Sequence, residues 1–233
     1  DYIKINMKYI FARSYVKSGI QRYVYENGVY RHVSDNEFKG YIKNLIPIDL
    51  QMPRIINDTF NLLVCDTQCH TEISKLNTDE NIINFQNGLL YLDTMELKPH
   101  TPDVLSTIQI PCNFVPDVPA PENSAFDRFI NHLCYNDPER VQFLLEFMGV
   151  ALSNIAGYRM KKALFMVGKG DTGKSQIKEL LNRLIGDEYF SSIELADLEQ
   201  RFGAANLYGK RIAGSNDMKY MNINQLSIFK NIT

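Results

Sequence analysis

The sequence predicts a mixed protein in which an α+β module precedes an α/β module. In the first module, hairpin-type turns are interspersed with capped helices. A proline-rich stretch at residues 111–121 then separates the two parts, because repeated prolines cannot sustain a helix or a central strand. From Lys162 onward strand and helix patterns alternate, which is typical of a parallel sheet covered by helices.

The composition is that of a globular protein with a sizeable core. Of the 233 residues, 45% are apolar and 22% are charged, and the length suits one large domain or two modest ones. The formal net charge of -2 excludes a uniformly basic nucleic-acid binder but not a local basic patch. No apolar run approaches the roughly 20 residues of a membrane span, so we expect no membrane partner. The polar start and the end within an amphipathic segment predict a fragment, truncated on its C-terminal side.

The first module begins with a hairpin and a helix that local signals define. Residues 23–30 predict the hairpin, because Asn27-Gly28 supplies the two positive φ values of a type I′ turn. Ser34 and Glu37 then have the spacing of a capping box, which marks a helix start. The helix is predicted to run to about Ile46, where a proline ends it.

Further elements complete this module, which we place at residues 1–118. A second helix is predicted over residues 53–64, because its leading proline is favoured in a first turn. Residues 82–92 and 96–100 predict a three-stranded meander, and residues 105–110 predict another strand.

Two helices form a predicted connector at residues 119–158. Ser124 is a candidate cap for the first helix, which would reach about Leu133. The second helix starts where Asp137-Pro138 combines a cap with a first-turn proline. Its apolar residues recur at helical spacing, at Val141, Leu144, Leu145, Met148 and Leu152. We expect the two helices to pack as a pair.

The α/β module occupies residues 159–233. Its predicted elements are a strand at 163–167, a helix at 174–185 and strands at 189–193 and 211–215. A glycine-rich loop joins the first strand to the helix.

This loop carries the strongest functional signal, because it matches G-x-x-x-x-G-K-[ST]. The glycines let main-chain amides surround a phosphate, the lysine reaches the β and γ oxygens, and the serine hydroxyl binds Mg²⁺. The following helix adds the positive end of its dipole. The sequence therefore predicts that ATP and Mg²⁺ bind at Gly168, Lys169, Gly170, Asp171, Thr172, Gly173, Lys174 and Ser175.

Such a loop needs an acidic residue at the end of a neighbouring strand, to hold magnesium and polarise water. Asp217 follows the predicted strand at 211–215, about forty residues after Lys174. Lys174 and Asp217 are therefore the predicted catalytic residues, and Ser175 with Asp217 the predicted magnesium ligands. The alternative for Asp217 is a solvated turn aspartate after a short strand.

Several motifs around the loop together carry a family resemblance. Residues 81–88 match N-x-I-x-F-x-N-G, and residues 103–114 lead into I-P-x-x-F. Residues 142–149 contain L-x-E-x-x-G, and residues 201–211 contain F-x-x-x-x-L-x-G-K-R. With the loop, these motifs resemble the C-terminal helicase part of phage and plasmid primases. That part is similar to the poxvirus primase–helicase and to the superfamily III helicases of the AAA+ clade.

The resemblance implies an AAA+-like ATPase core belonging to a replicative DNA helicase of a phage, plasmid or other mobile element. Such proteins form rings, so it implies a homo-hexamer that holds DNA in its pore, with a primase or a replication initiator as partner. Gly168, Gly170, Gly173, Lys174 and Ser175 are similar to the family's Walker A motif. The sequence departs from the family's pattern at two positions. Thr172 stands where the family often has Asn, and Asp217, which is similar to the Walker B acid, stands where Glu is common.

The resemblance also implies a cellular location and a level of ATPase activity for this chain. We expect a cytoplasmic location in the host cell. The family's arginine finger, sensor residue and DNA-binding hairpin would follow Thr233, so this chain alone is expected to hydrolyse ATP weakly or not at all.

Two other functions remain open from the sequence. One is a P-loop small-molecule kinase, which would normally carry an arginine-rich lid, whereas Arg183 and Arg201 stand alone. The other is a non-catalytic replication assembly module, in which ATP has only a structural role.

We expect the remaining aromatic, cysteine and basic side chains to have structural or solvated positions rather than binding or catalytic roles. We interpret the tyrosines of the first part as packing residues rather than base-stacking ones: Tyr2, Tyr9, Tyr15, Tyr23, Tyr25, Tyr30 and Tyr41. The cysteines lack the spacing of a structural zinc site and fit reduced thiols: Cys65, Cys69, Cys112 and Cys134. The basic residues of the second module are interpreted as solvated strand ends: Lys161, Lys162, Lys210 and Arg211.

Overall fold

The chain folds into two compact units, each built from helices and small sheets. The computed structural model describes residues 2–13, 19–116, 123–155, 157–215 and 227–232. One unit comprises Asp1–Thr78 with Lys98–Gln109, and the other comprises Asp79–Leu97 with Ile110–Thr233. The predicted mixture of helices and sheets is confirmed. These units are defined by which residues lie close together, and they do not coincide with the modules predicted from the sequence. The predicted module boundaries at residues 118 and 158 stay a prediction.

The first unit is built on a four-stranded sheet. Its strands are β1 (Tyr9–Arg13), β2 (Ile20–Glu26), β3 (Val29–Val33) and β4 (His70–Glu72). Their order is β3-β2-β1-β4, with β4 parallel to β1 and the other pairs antiparallel. Its helices are α1 (Tyr2–Asn6), α2 (Asp35–Leu45) and α3 (Pro53–Cys65).

The predicted hairpin is confirmed as β2 and β3. Asn27 has a φ of 49° and Gly28 a φ of 86°, both positive as a type I′ turn requires. The ring of His100 lies where a Cβ on Gly28 would be, so packing requires glycine at this position as well.

Helix α2 begins at the predicted capping box. The Ser34 hydroxyl accepts a hydrogen bond from the Glu37 amide at 3.2 Å, and the Glu37 carboxylate accepts one from the Ser34 amide at 2.7 Å. The helix ends at Leu45, because Ile46 precedes Pro47 and is extended, with φ −88° and ψ 149°.

We expect Ser34→Ala to destabilise the first unit by about 1 kcal/mol, the usual cost of losing an N-cap side chain. Hydrogen bonding from Ser34, first through its amide and then through its hydroxyl, lowers the pKa of Glu37. The stabilisation from the carboxylate is therefore complete above the ordinary glutamate pKa and is lost as pH falls through the lowered value.

Urea unfolding at neutral and at acidic pH measures both effects. Glu37→Gln should remove this part of the pH dependence. An unchanged unfolding midpoint for Ser34→Ala would contradict the prediction.

The core of the first unit draws aromatic side chains from several elements. Phe11 of β1 and Phe38 of α2 have no exposed surface. The Phe38 ring centroid lies 5.4 Å from those of Tyr9 and Phe11 and 5.8 Å from that of Phe60 of α3. Phe38 thus joins the sheet to both longer helices of this unit.

Three of the tyrosines in the first part are core residues. Tyr9, Tyr23 and Tyr30 are buried, and the Tyr30 hydroxyl donates a hydrogen bond to the carbonyl of Pro102 at 2.8 Å. The packing interpretation is confirmed for these three. The packing interpretation is wrong for Tyr2, which is exposed, and Tyr15 lies outside the described residues.

The second unit contains the predicted meander. Its strands β5 (Ile82–Phe85), β6 (Gly88–Tyr91) and β7 (Glu96–Lys98) lie in the order β5-β6-β7. The strand predicted at residues 105–110 is wrong. Throughout this fully described segment, the single β-bridge joins Ile110 to Phe85.

The backbone of this segment makes isolated hydrogen bonds to a side chain and to residues of other strands instead of forming a continuous ladder. The Thr107 amide donates to the Asn77 side-chain oxygen at 2.8 Å, and the Ser106 carbonyl accepts from the Tyr30 amide at 2.8 Å. Because partners of this kind are set by tertiary structure, the local pattern could not reveal them.

Helices and a small parallel sheet make up the rest of the second unit. The helices are α4 (Ala125–Leu133), α5 (Pro138–Leu152), α6 (Gly157–Met160), α7 (Lys174–Ile185), α8 (Leu195–Leu198) and α9 (Ser227–Ile232). Strand β8 (Phe190–Ser192) pairs parallel with β9 (Ile212–Gly214). Ser124 and Asp137 cap α4 and α5 as predicted. None of the helices in the described ranges is long and apolar enough to cross a membrane.

The strand predicted at residues 163–167 does not form, although its side chains alternate as they would in a strand. Leu164 and Met166 pack against the core that α4, α5 and α7 share, whereas Phe165 and Val167 are exposed. The segment belongs to no sheet among the described residues. Alternation depends on the segment itself, but a β-ladder also requires a neighbouring strand.

Candidate functional site

The glycine-rich loop lies directly before α7, whose apolar face anchors the helix. Ile177 and Ile185 have no exposed surface. Gly173 is the N-cap and is left-handed, with φ 91° and ψ 4°, and its carbonyl accepts a hydrogen bond from the Gln176 amide at 3.0 Å. The loop therefore ends at the positive end of a 12-residue helix.

The ammonium group of Lys174 is held by the loop. Its Nζ donates to the carbonyl of Lys169 at 2.5 Å and to the hydroxyl of Thr172 at 2.9 Å. The Thr172 hydroxyl donates in turn to the Lys169 carbonyl at 3.1 Å. A Cβ built on Gly168 would lie 3.8 Å from Nζ, so the chain passes close to the charge at that glycine.

In the part of the chain that the structure describes, the loop backbone carries amide donors without a protein acceptor. Across the described residues, no amide from Gly168 to Gly173 donates a hydrogen bond to a protein acceptor. Positive φ values at Asp171 (56°) and Gly173 (91°) turn the chain sharply before α7. Free amides beside an ammonium group form the kind of donor set that binds phosphate oxygens.

The structure brings together the loop residues 168–175 that the sequence predicts as a site. Ser175 lies in the first turn of α7 and is exposed, so its hydroxyl is open to solvent. Asp217 lies outside the described residues, and its role as an acid beside Lys174 stays a prediction.

Arg211 is a residue whose role the sequence interpretation missed. Its guanidinium donates from Nε to the carbonyl of Ala151 and from a terminal nitrogen to that of Ile155, both at 3.4 Å. Burial lowers the pKa of Arg211 to about 10, so the group stays charged at neutral pH. The interpretation as a solvated strand end is therefore wrong for Arg211, which anchors β9 to the C-terminal end of α5. The available signal was its place at the end of the F-x-x-x-x-L-x-G-K-R motif.

We expect Arg211→Ala to destabilise the second unit by roughly 1–3 kcal/mol, because the helix-end carbonyls lose a charged donor. Lys162→Ala, at an exposed position in the same unit, should change stability by less than about 0.5 kcal/mol. Thermal unfolding of the two variants compares these effects. Equal melting temperatures would show that Arg211 is a surface cation after all.

Residues 9–134 match the family model described as D5 N terminal like. The match spans more than half of the chain. The chain belongs to this family. The D5 N-terminal-like domain occurs in primase–helicase proteins, and it associates the chain with primase–helicase-like DNA replication proteins.

The D5 N-terminal-like region begins at β1 and ends just after α4, so the loop at residues 168–175 lies beyond it. Within that region, two of the motifs noted in the sequence contact each other. The Asn87 side chain donates to the Phe114 carbonyl at 2.7 Å and accepts from the Phe114 amide at 2.9 Å. The Phe85 and Phe114 rings lie 5.5 Å apart. These motif residues therefore stabilise the D5 N-terminal-like fold, and the candidate chemistry lies elsewhere.

Proposed function

We propose that the chain binds ATP at residues 168–175 and forms part of a DNA helicase with a primase–helicase-like role in replication. The observation that carries this proposal is the position of the Lys174 ammonium, held within a loop at the start of α7 whose amides have no protein acceptor among the described residues. The family match supports the replication context.

Each loop residue has a chemical part in this proposal. The amides from Gly168 to Gly173 would donate to the β-phosphate, and Lys174 would contact the β and γ oxygens. The exposed Ser175 hydroxyl and the Asp217 carboxylate are oxygen donors suited to Mg²⁺. When bound, Mg²⁺ supplies charge neutralisation for the phosphates.

We further propose an AAA+-like core of the superfamily III type. The intact protein would act as a homo-hexameric ring that couples ATP hydrolysis to DNA unwinding, with a primase or replication initiator as partner. DNA binding would rest on local basic groups in the ring, since the overall charge of -2 gives no general attraction for phosphate.

The ATPase activity of the full-length protein, measured with and without DNA, tests this function. We expect hydrolysis that DNA stimulates and that Lys174→Ala abolishes, while the exposed-site variant Lys162→Ala retains it. Binding without hydrolysis would favour the assembly-module alternative. Transfer of phosphate to a nucleoside or nucleotide would favour the kinase alternative.

A further inference from the structure

The last glycine of the loop is covered by an aromatic ring from a distant part of the sequence. A Cβ built on Gly173 would lie 2.9 Å from Cε2 and 3.6 Å from Cζ of Phe129 on α4. The positive φ of 91° also disfavours any L side chain at this position. Gly173 is therefore constrained both by its own conformation and by a neighbour outside the motif.

Phe129 is itself firmly placed. It packs against the hydrophobic cluster in which Ile130 of α4 is 1% exposed and Ile177 of α7 is fully buried. The start of α4 is fixed by a capping box between Ser124 and Asp127. The ring thus joins the core beneath α7 to the point where the loop becomes helix.

We propose that Phe129 is a positioning residue for the phosphate-binding loop. By filling the space beside Gly173, its ring restricts the conformations open to the loop at the point where it joins α7, next to Lys174. Binding a triphosphate then orders fewer loop conformations, which preserves affinity. This inference rests on the proposed ATP site. Helix α4 would support that site through the packing of Phe129 and not through a hydrogen bond to the nucleotide.

Nucleotide affinity and stability, measured separately, test this role. We expect Phe129→Ala to weaken binding of Mg²⁺ and a fluorescent ATP analogue roughly 3- to 10-fold, because the freed loop must be ordered on binding. Phe129→Leu, which keeps much of the volume, should recover most of the affinity and serves if the alanine variant fails to fold. Leu133→Ala is the matched control, because Leu133 packs on the same helix and cluster. It should lower the melting temperature and leave the affinity unchanged.

Equal affinities for Phe129→Ala and Leu133→Ala would overturn the inference while leaving the ATP site intact. Failure of the unaltered chain to bind would overturn the proposed function and this inference with it. The contact itself has a test that needs no nucleotide. Gly173→Ala should lower the melting temperature less in the Phe129→Ala background than in the Leu133→Ala background. Equal losses in both backgrounds would contradict the proposed contact.

Discussion

Lys174→Ala should weaken the binding of Mg²⁺ and an ATP analogue by about 10- to 100-fold. A hydrogen bond to a charged group contributes about 1.5–3 kcal/mol, and the variant removes such a donor from the phosphate oxygens. The loop amides remain, so residual binding is expected rather than none.

The structure also predicts that this variant folds. Among the described residues, the hydrogen bonds of the Lys174 ammonium are to loop atoms of Lys169 and Thr172, whereas α7 is anchored by Ile177 and Ile185. Fluorescence titration measures affinity, and circular dichroism checks the fold. Lys162→Ala removes a cation from an exposed position nearby in sequence and controls for net charge. Equal affinity of the Lys174→Ala and Lys162→Ala variants would contradict the assigned role.

Phe38→Ala should cost about 3–5 kcal/mol of unfolding free energy, the range for removing a buried phenylalanine. The ring has no exposed surface and lies against the rings of Tyr9, Phe11 and Phe60. Its loss leaves a cavity that three rigid aromatic groups cannot easily fill, so the cost should fall in the upper part of the range.

Denaturant unfolding followed by circular dichroism measures this cost. Asn44→Ala, at an exposed position on the same helix, should shift the free energy by less than about 0.5 kcal/mol. If the two units unfold in separate transitions, Phe38→Ala should move only the one that belongs to the first unit. A change no larger than that of Asn44→Ala would contradict the placement of Phe38 at the centre of the core.

Features set by neighbours in sequence could be predicted. The Asn27-Gly28 turn, the capping box at Ser34 and the caps at Ser124 and Asp137 each depend on residues within a few positions. The start of α7 after Gly173 belongs to this class too, whereas the role of residues 168–175 as a phosphate site stays a prediction.

Features set by distant neighbours could not be predicted. The segment at 163–167 alternates correctly but has no ladder among the described residues. The sequence alone favours a solvated strand end for Arg211, because its acceptors at Ala151 and Ile155 are far away in sequence. No sequence motif predicts the contact between the Phe129 ring and Gly173. It forms because α4 and α7 pack on the same hydrophobic cluster.

We propose above all that the amides of residues 168–175 bind a triphosphate. NMR titration of the labelled chain with Mg²⁺ and a non-hydrolysable ATP analogue tests this claim most directly. We expect the largest shifts to fall on Gly168 to Ser175 and Lys174→Ala to suppress them. Resonances of this loop that stay in place at saturating analogue, in a folded chain, would contradict it.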